Sequence, residues 1–384
     1  VGAELAETNG VLHVEDSLGE LRQLVEAVDI DVVGQISQRL RNPHPATFVG
    51  KGKVEELRNL AADRSADAIV FDDELSPSQQ RNLEESLKLP VVDRSQIILD
   101  VFAGRAQTRE GRLQVQLAAY EYQLPRLTGA WTHLSRQFGR GASRGGPGET
   151  QLEIDRRQVR QRIAELKRQI ERVREQRQLH RDYRRDRGLR VVALVGYTNA
   201  GKSTLFNTLS HAGVSAKDRP FETLDPTTRR LRLPSGTPAV LSDTVGFIQK
   251  LPVTLVAAFR ATLEELDTAD VLVHVLDVTH PRGYEQGVSV DRTLASLNLA
   301  DKPRVTALNK IDRLHLMDKT EGLDDQAGEE LRRLLAYYPN AVAISAEKGW
   351  HLDRLVRTID DTLQELTASR ATNVNARLAN VNNL

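Results

Sequence analysis

Between Gly196 and Ser203 the chain reads Gly-Tyr-Thr-Asn-Ala-Gly-Lys-Ser. Glycines at that spacing let backbone N–H groups wrap a phosphate chain, Lys202 can reach the terminal phosphates, and the Ser203 hydroxyl can ligate Mg²⁺. This chemistry needs a strand before the loop and a helix after it, whose N-terminal dipole stands behind the phosphates. Val191-Val192-Ala193-Leu194-Val195 reads as the strand, and Thr204-Leu205-Phe206-Asn207-Thr208-Leu209 as the helix. Gly196, Tyr197, Thr198, Asn199, Ala200, Gly201, Lys202, Ser203 and Thr204 are therefore the expected phosphate-binding residues.

Further parts follow in a consistent order. After the apolar approach Val240-Leu241-Ser242 comes Asp243-Thr244-Val245-Gly246. Its aspartate can hold Mg²⁺ through water, and the Gly246 N–H can bond a terminal phosphate and report its loss. Phe221 to Thr228 reads as a switch segment in which Thr223, or alternatively Thr227, completes the Mg²⁺ shell. Asn309-Lys310-Ile311-Asp312 follows the strand-like Arg304 to Leu308. A carboxylate at Asp312 accepts from N1–H and the 2-amino group of guanine, so it selects GTP over ATP; adenine leaves that acceptor unpaired. Ser345-Ala346, after the strand-like Ala341 to Ile344, suits a backbone contact to the base oxygen.

Two residues depart from the common small-GTPase scheme. Phe247 stands where many such enzymes carry the glutamine that orients the attacking water. A phenyl ring cannot do this, which predicts slow intrinsic hydrolysis with the water placed by a partner, by backbone or by another residue. Asn199 either ligates a monovalent cation such as K⁺ beside the phosphates or simply shapes the loop.

The elements that must position these groups come from the rest of the chain. Its 384 residues suggest two or three domains. There is no cysteine, which excludes disulfides and thiolate metal sites and is compatible with the cytoplasm. No apolar run approaches the roughly 20 residues of a membrane helix. The formal net charge is zero, yet residues 101–190 hold 21 Lys/Arg against 10 Asp/Glu. Such a block suggests a nucleic-acid footprint, against the plainer reading of a solvated helix surface.

Residues 1–105 alternate strand-like runs (Asp31 to Ile36, Ala68 to Phe71, Pro90 to Val92) with helical stretches (Val54 to Leu60, Ser78 to Leu87), implying a small α/β domain with a largely parallel sheet. Gly50-Lys51-Gly52-Lys53 lacks the remaining P-loop spacing and reads as a turn and helix start. Residues 106–188 read as a basic helical hairpin. One helix runs from Leu113 toward Gln137, bent at Pro125, and the other carries a seam of Val159, Ile163, Leu166, Ile170 and Val173. A short connection makes the helices antiparallel. The tip at 139–148 is rich in glycine with two arginines and no acid. It is either a disordered linker or an RNA-contacting loop through Arg140, Arg144, Gly145 and Gly146. Residues 189–365 form the nucleotide-binding domain, and 366–384 read as a short polar, irregular tail.

Taken together these residues resemble the HflX family of translational GTPases. The resemblance rests on Phe48 to Leu57, Val92-Asp93-Arg94 with Ile98-Leu99-Asp100, Trp131-Thr132-His133-Leu134, Arg144 to Glu153, and Asp243 to Ile248, and covers about residues 30–360. It implies an α/β fold: a P-loop GTPase domain with a mostly parallel sheet, preceded by a small α/β domain and a long antiparallel helical hairpin. It further implies a cytoplasmic enzyme that converts GTP to GDP and phosphate with Mg²⁺. That enzyme would be stimulated by the large ribosomal subunit, bind its rRNA as a monomer, and split or rescue stalled ribosomes under stress. The tail departs from the pattern, since family members commonly end in a further small domain, and the chain begins without methionine. Both suggest a truncated or differently built chain. The alternative function is a GTP-switched checkpoint in subunit assembly that binds RNA without splitting ribosomes.

Overall fold

The computed structural model describes residues 1–5, 14–127, 151–186, 188–210, 221, 227–248, 250, 266–317, 324–338 and 340–381. They form two compact units, Val1–Arg177 with Lys250–Arg260, and Gln178–Gln249 with Ala261–Leu384.

In the first unit, β1 (Gly2–Leu5) pairs in parallel with β2 (Ser37–Leu40), and β3 (Ile69–Phe71) with β4 (Val91–Asp93). Between them lie α1 (Val14–Glu26), α2 (Lys51–Asp63) and α3 (Pro77–Leu87). Helix α3 starts where its residues dictate. Ser76 caps it, Gln79 completes the capping box, and Pro77 opens the first turn. Val49, Leu57, Phe71, Leu75, Leu83 and Val91 form the core beneath these elements. The strand expected over Asp31 to Ile36 is absent. That segment is irregular, Ile30 and Val33 are exposed, and the strand begins one residue later, where Ser37 to Leu40 find Gly2 to Leu5 as partners. Gly50 is the N-cap of α2 and makes no side-chain cap, in keeping with a helix start.

Charged groups pin this unit from inside. Asp93 caps α4 (Arg94–Arg105) and accepts hydrogen bonds from the Tyr122 hydroxyl at 2.8 Å and Arg126 Nη2 at 3.1 Å. Arg94, almost fully buried, donates to Asp72 Oδ1 at 2.7 Å. Burial works to raise the Asp72 carboxyl, but Arg94 and Lys250 outweigh it and hold the group below its ordinary value.

Helix α5 (Arg109–Gln123) passes into a 3₁₀ turn at Leu124–Arg126, and the rest of the expected span toward Gln137 lies outside the described residues. Pro125 lacks an N–H, so the α-helical ladder loses a rung there. Helix α6 (Gln151–Asp186) spans 36 residues. Its Ile163, Leu166 and Ile170 pack on Leu113 and Leu117 of α5, with Val159 alongside. Glu110 pairs with Arg177 at 2.8 Å, Glu121 with Lys167 at 2.8 Å, and the Leu127 carbonyl accepts from Arg156 at 3.0 Å. Partners that ascend along one helix and descend along the other make the pair antiparallel. Arg157, Arg160, Arg162, Lys167, Arg168 and Arg172 are exposed along α6. The tip segment 139–148, with Arg140, Arg144, Gly145 and Gly146, lies outside the described residues.

The second unit holds a six-stranded sheet. Its strands are β5 (Arg190–Gly196), β6 (Thr227–Arg232), β7 (Pro238–Asp243), β8 (Val271–Asp277), β9 (Arg304–Asn309) and β10 (Val342–Ala343), in the spatial order β10-β9-β8-β5-β7-β6. Only the β6–β7 pairing is antiparallel. The parallel strands are nearly continuous apolar runs because both faces are covered. Val192, Leu194, Leu241, Val273 and Val275 meet Leu205 and Phe206 of α7 (Lys202–Ser210) and Leu355 and Ile359 of α11 (Leu352–Val381). Helices α8 (Gly283–Ser296), α9 (Ile311–Met317) and α10 (Asp324–Tyr337) are also among the described residues of this unit. The tail is not irregular, since α11 continues through it to Val381. Extending a packed helix adds one hydrogen bond per residue without a new nucleus, and the alanines and arginines of the tail are good helix formers.

Candidate active site

The phosphate loop leaves the end of β5 and enters α7, the strand, loop and helix that its residues require. Each glycine is fixed by a close approach. A Cβ on Gly196 (φ 151°) would lie 2.3 Å from the Val275 carbonyl oxygen, and one on Gly201 (φ 94°) 2.2 Å from Asn309 Nδ2. Asn199 takes the left-handed conformation (φ 60°), which asparagine tolerates better than most residues. Ala200 and Tyr197 are buried, whereas Thr198, Asn199, Ser203 and Thr204 are half-buried.

Lys202 is buried and donates from Nζ to the Tyr197 carbonyl at 2.7 Å. Burial pushes its ammonium down to about 8; Asp243 opposes that shift and Lys310 adds to it. Ser203 Oγ donates to Asp243 Oδ2 at 2.8 Å, so the two expected Mg²⁺ partners stand together. Thr244 Oγ1 donates to the Leu194 carbonyl at 2.6 Å and ties the end of β7 to β5. Thr227 opens β6 opposite Asp243 in the antiparallel register. Thr223 lies outside the described residues.

Beyond β7 the chain turns onto the phosphate loop. The Phe247 N–H donates to the Gly196 carbonyl at 3.0 Å, and the Thr198 N–H donates to the Phe247 carbonyl at 2.8 Å. A Cβ on Gly246 would meet Lys202 Nζ at 3.0 Å and the Thr198 Cα at 3.1 Å, so a larger residue would crowd both by a few tenths of an ångström. The Phe247 side chain is buried.

The residues expected to read the base are gathered by the sheet. Asn309 is the last residue of β9; its Nδ2 donates to the Ala200 carbonyl at 2.8 Å and its Oδ1 accepts from the Ala346 N–H at 2.9 Å. One side chain thus joins the phosphate loop to the Ser345-Ala346 turn. Thr208 Oγ1 donates to the Ala346 carbonyl at 2.9 Å, and Ser345 Oγ accepts from the Lys348 N–H at 3.0 Å. Lys310 is left-handed (φ 72°), and Asp312 sits in the first turn of α9.

The donor set suits a hard cation. Ser203 and Asp243 bring a hydroxyl and a carboxylate oxygen side by side. That fits Mg²⁺, which binds through one or two protein oxygens together with substrate phosphates and water.

Sequence reasoning passed over Asp277, Thr244 and Thr208. Asp277 had a readable signal, an acid closing the apolar run Val271 to Leu276 just as Asp243 closes Val240 to Ser242.

Comparison with known proteins matches three successive stretches of the chain. Residues 15–103 match the family model described as GTP-binding GTPase N-terminal, residues 105–184 GTP-binding GTPase Middle Region, and residues 191–310 50S ribosome-binding GTPase. The GTPase HflX of Alkalihalophilus pseudofirmus is 50% identical over 78% of this chain and 70% of its own. That of Escherichia coli is 41% identical over 91% of this chain and 79% of its own. A crystal structure of a GTP-binding protein from the hyperthermophilic archaeon Sulfolobus solfataricus in complex with GDP is 23% identical, with a TM-score of 0.46 over 95% of this chain and 99% of that one.

Proposed function

The chain belongs to the HflX family of GTPases, and from that premise we propose that it binds the large ribosomal subunit in its GTP state and splits or rescues stalled ribosomes. It is a GTP-binding enzyme that hydrolyses GTP. No helix among the described residues is long and apolar enough to cross a membrane.

In this reading Lys202 stabilises charge on the transferred phosphoryl group. Ser203, Asp243 and Thr223 would hold Mg²⁺, which would supply positive charge against the phosphate oxygens. Gly246 senses the third phosphate, Asn199 accepts K⁺ beside the loop, and Asn309, Lys310 and Asp312 with Ser345 and Ala346 read guanine. Hydrolysis is slow alone because Phe247 supplies no group to orient water. It quickens when the ribosome places that water.

The observation that carries the ribosomal part is the antiparallel hairpin with its line of exposed arginines on α6. Residues of that kind neutralise RNA phosphates, and their contacts weaken with salt. Arg140, Arg144, Gly145 and Gly146 would extend the contact from the tip. Sedimentation of GTP-loaded protein with large subunits tests it: salt-sensitive co-sedimentation is expected, and Arg140→Glu with Arg144→Glu should weaken it without changing nucleotide affinity. Light scattering of intact ribosomes should fall on adding protein and GTP. An unchanged signal despite subunit binding would favour the assembly-checkpoint function instead.

A further inference from the structure

Strands β8 and β9 end side by side, with Asp277 opposite Asn309 in the parallel register. Both oxygens of the Asp277 carboxylate are committed. Oδ1 accepts from the Thr279 N–H at 2.9 Å and from its hydroxyl at 2.7 Å, while Oδ2 lies 2.6 Å from Lys310 Nζ. The two donors from Thr279 fix the carboxylate in one orientation before the lysine is counted. The pair is also sheltered, with side-chain exposures of 13% for Asp277 and 15% for Lys310, which sets it apart from a solvated surface ion pair.

Lys310 sits between the two residues that the base-reading segment places on either side of it, Asn309 and, one residue on, Asp312. Its left-handed backbone is a conformation that an L side chain adopts only when its surroundings hold it. Its charge also reaches the phosphate lysine, since Lys310 contributes to lowering the Lys202 ammonium. A lysine so placed has two ways to harm the site. Its stem can swing away from the base, or its charge can add to that of Lys202. An anchored carboxylate at its tip prevents both.

We propose that Asp277 is a positioning residue for guanine nucleotides, holding the Lys310 side chain in place so that its stem forms one wall of the base site. The inference rests on reading Asn309-Lys310-Ile311-Asp312 as the guanine-reading segment. Asp277 acts through Lys310, since its two carboxylate oxygens are taken by Thr279 and by the lysine. Its loss therefore appears in affinity for guanine nucleotides of any phosphate number, not in the chemical step.

The test uses the full chain with fluorescent GDP and a non-hydrolysable GTP analogue. Asp277→Asn keeps an acceptor for Thr279 but removes the charge that holds Lys310. Both dissociation constants should rise about tenfold, as for loss of one charge-assisted hydrogen bond. KM for GTP should rise in step, with kcat at saturation within about twofold. Asp277→Glu should recover part of the affinity. Combining Asp277→Asn with Lys310→Met should weaken binding no further than Lys310→Met alone, since both act on one element. A merely structural role would lower the melting temperature and leave the affinity of the folded fraction unchanged; that result overturns the inference. Asp312→Asn provides the control for the reading beneath it. If that variant fails to move preference from guanine to xanthine nucleotides, the base-reading assignment falls and the inference with it. If the preference moves but Asp277→Asn binds like the parent, the inference alone falls.

Discussion

Gly201 and Asn309 are in such close contact that a Cβ on the glycine would stand 2.2 Å from the asparagine Nδ2. The base-reading segment is thus keyed to the phosphate loop by the absence of one carbon atom. Gly201→Ala should displace Asn309 and break its bonds to the Ala200 carbonyl and the Ala346 amide together. Buried partners left unpaired cost about 1–3 kcal/mol each, so guanine-nucleotide affinity should fall by about a hundredfold or more. Titration with fluorescent GDP checks this, and near-native affinity would show that the contact is slack.

Phe247 is buried and its backbone is paired to the phosphate loop at both its N–H and its carbonyl. Phe247→Gln should therefore not restore water orientation, because the introduced amide takes the place of a buried ring on a backbone already held by the phosphate loop. The expected result is unchanged or lower single-turnover GTP hydrolysis, with a stability loss of about 1–3 kcal/mol from the unpaired amide. A clear rise in intrinsic turnover would mean that this side chain can reach the reacting water.

Lys202 gives the nucleotide-free protein a specific alkaline signature. Its value is lowered from 10.5 to about 8 in the folded chain, chiefly by burial. Between those values the unfolded chain keeps a proton that the folded chain has released, so this residue makes folding more favourable as pH rises. Below about pH 8 the cost of burying the charge is felt in full. The stability of the parent relative to Lys202→Met should thus climb by about 3 kcal/mol from pH 7.5 to 10.5, at about 1.4 kcal/mol per pH unit. Saturating GDP should flatten the climb, because phosphate holds the proton on the lysine. Chemical denaturation at several pH values measures it.

The strand, loop and helix of the candidate nucleotide site are legible because each part is local: a strand end, a loop and the first turn of a helix, written within a dozen residues of one another. What escaped depended on partners remote in sequence. Val32 and Val33 look like a strand, but the hydrogen-bonding edge offered by Gly2 to Leu5 lies beside Ser37 to Leu40 instead. The polar tail gave no apolar pattern, yet it is helical because α11 is already nucleated on the sheet through Leu355 and Ile359. Asp277 closes an apolar run as Asp243 does, but its pairing with Lys310 depends on the β8–β9 register that sets it against Asn309. Pro125, by contrast, reads as a bend, and α5 ends just before it. Proline limits a helix by removing a donor, and sequence alone does not say whether neighbouring contacts will carry the chain past it.

The Phe247 backbone is hydrogen-bonded to Gly196 and to Thr198 while Gly246 lies close to Lys202 and Thr198. A ligand that displaces Gly246 must break those two bonds, at a net cost of about 0.5–1.5 kcal/mol apiece. The segment after β7 and the phosphate loop are thus latched to each other, and a movement at one is felt at the other.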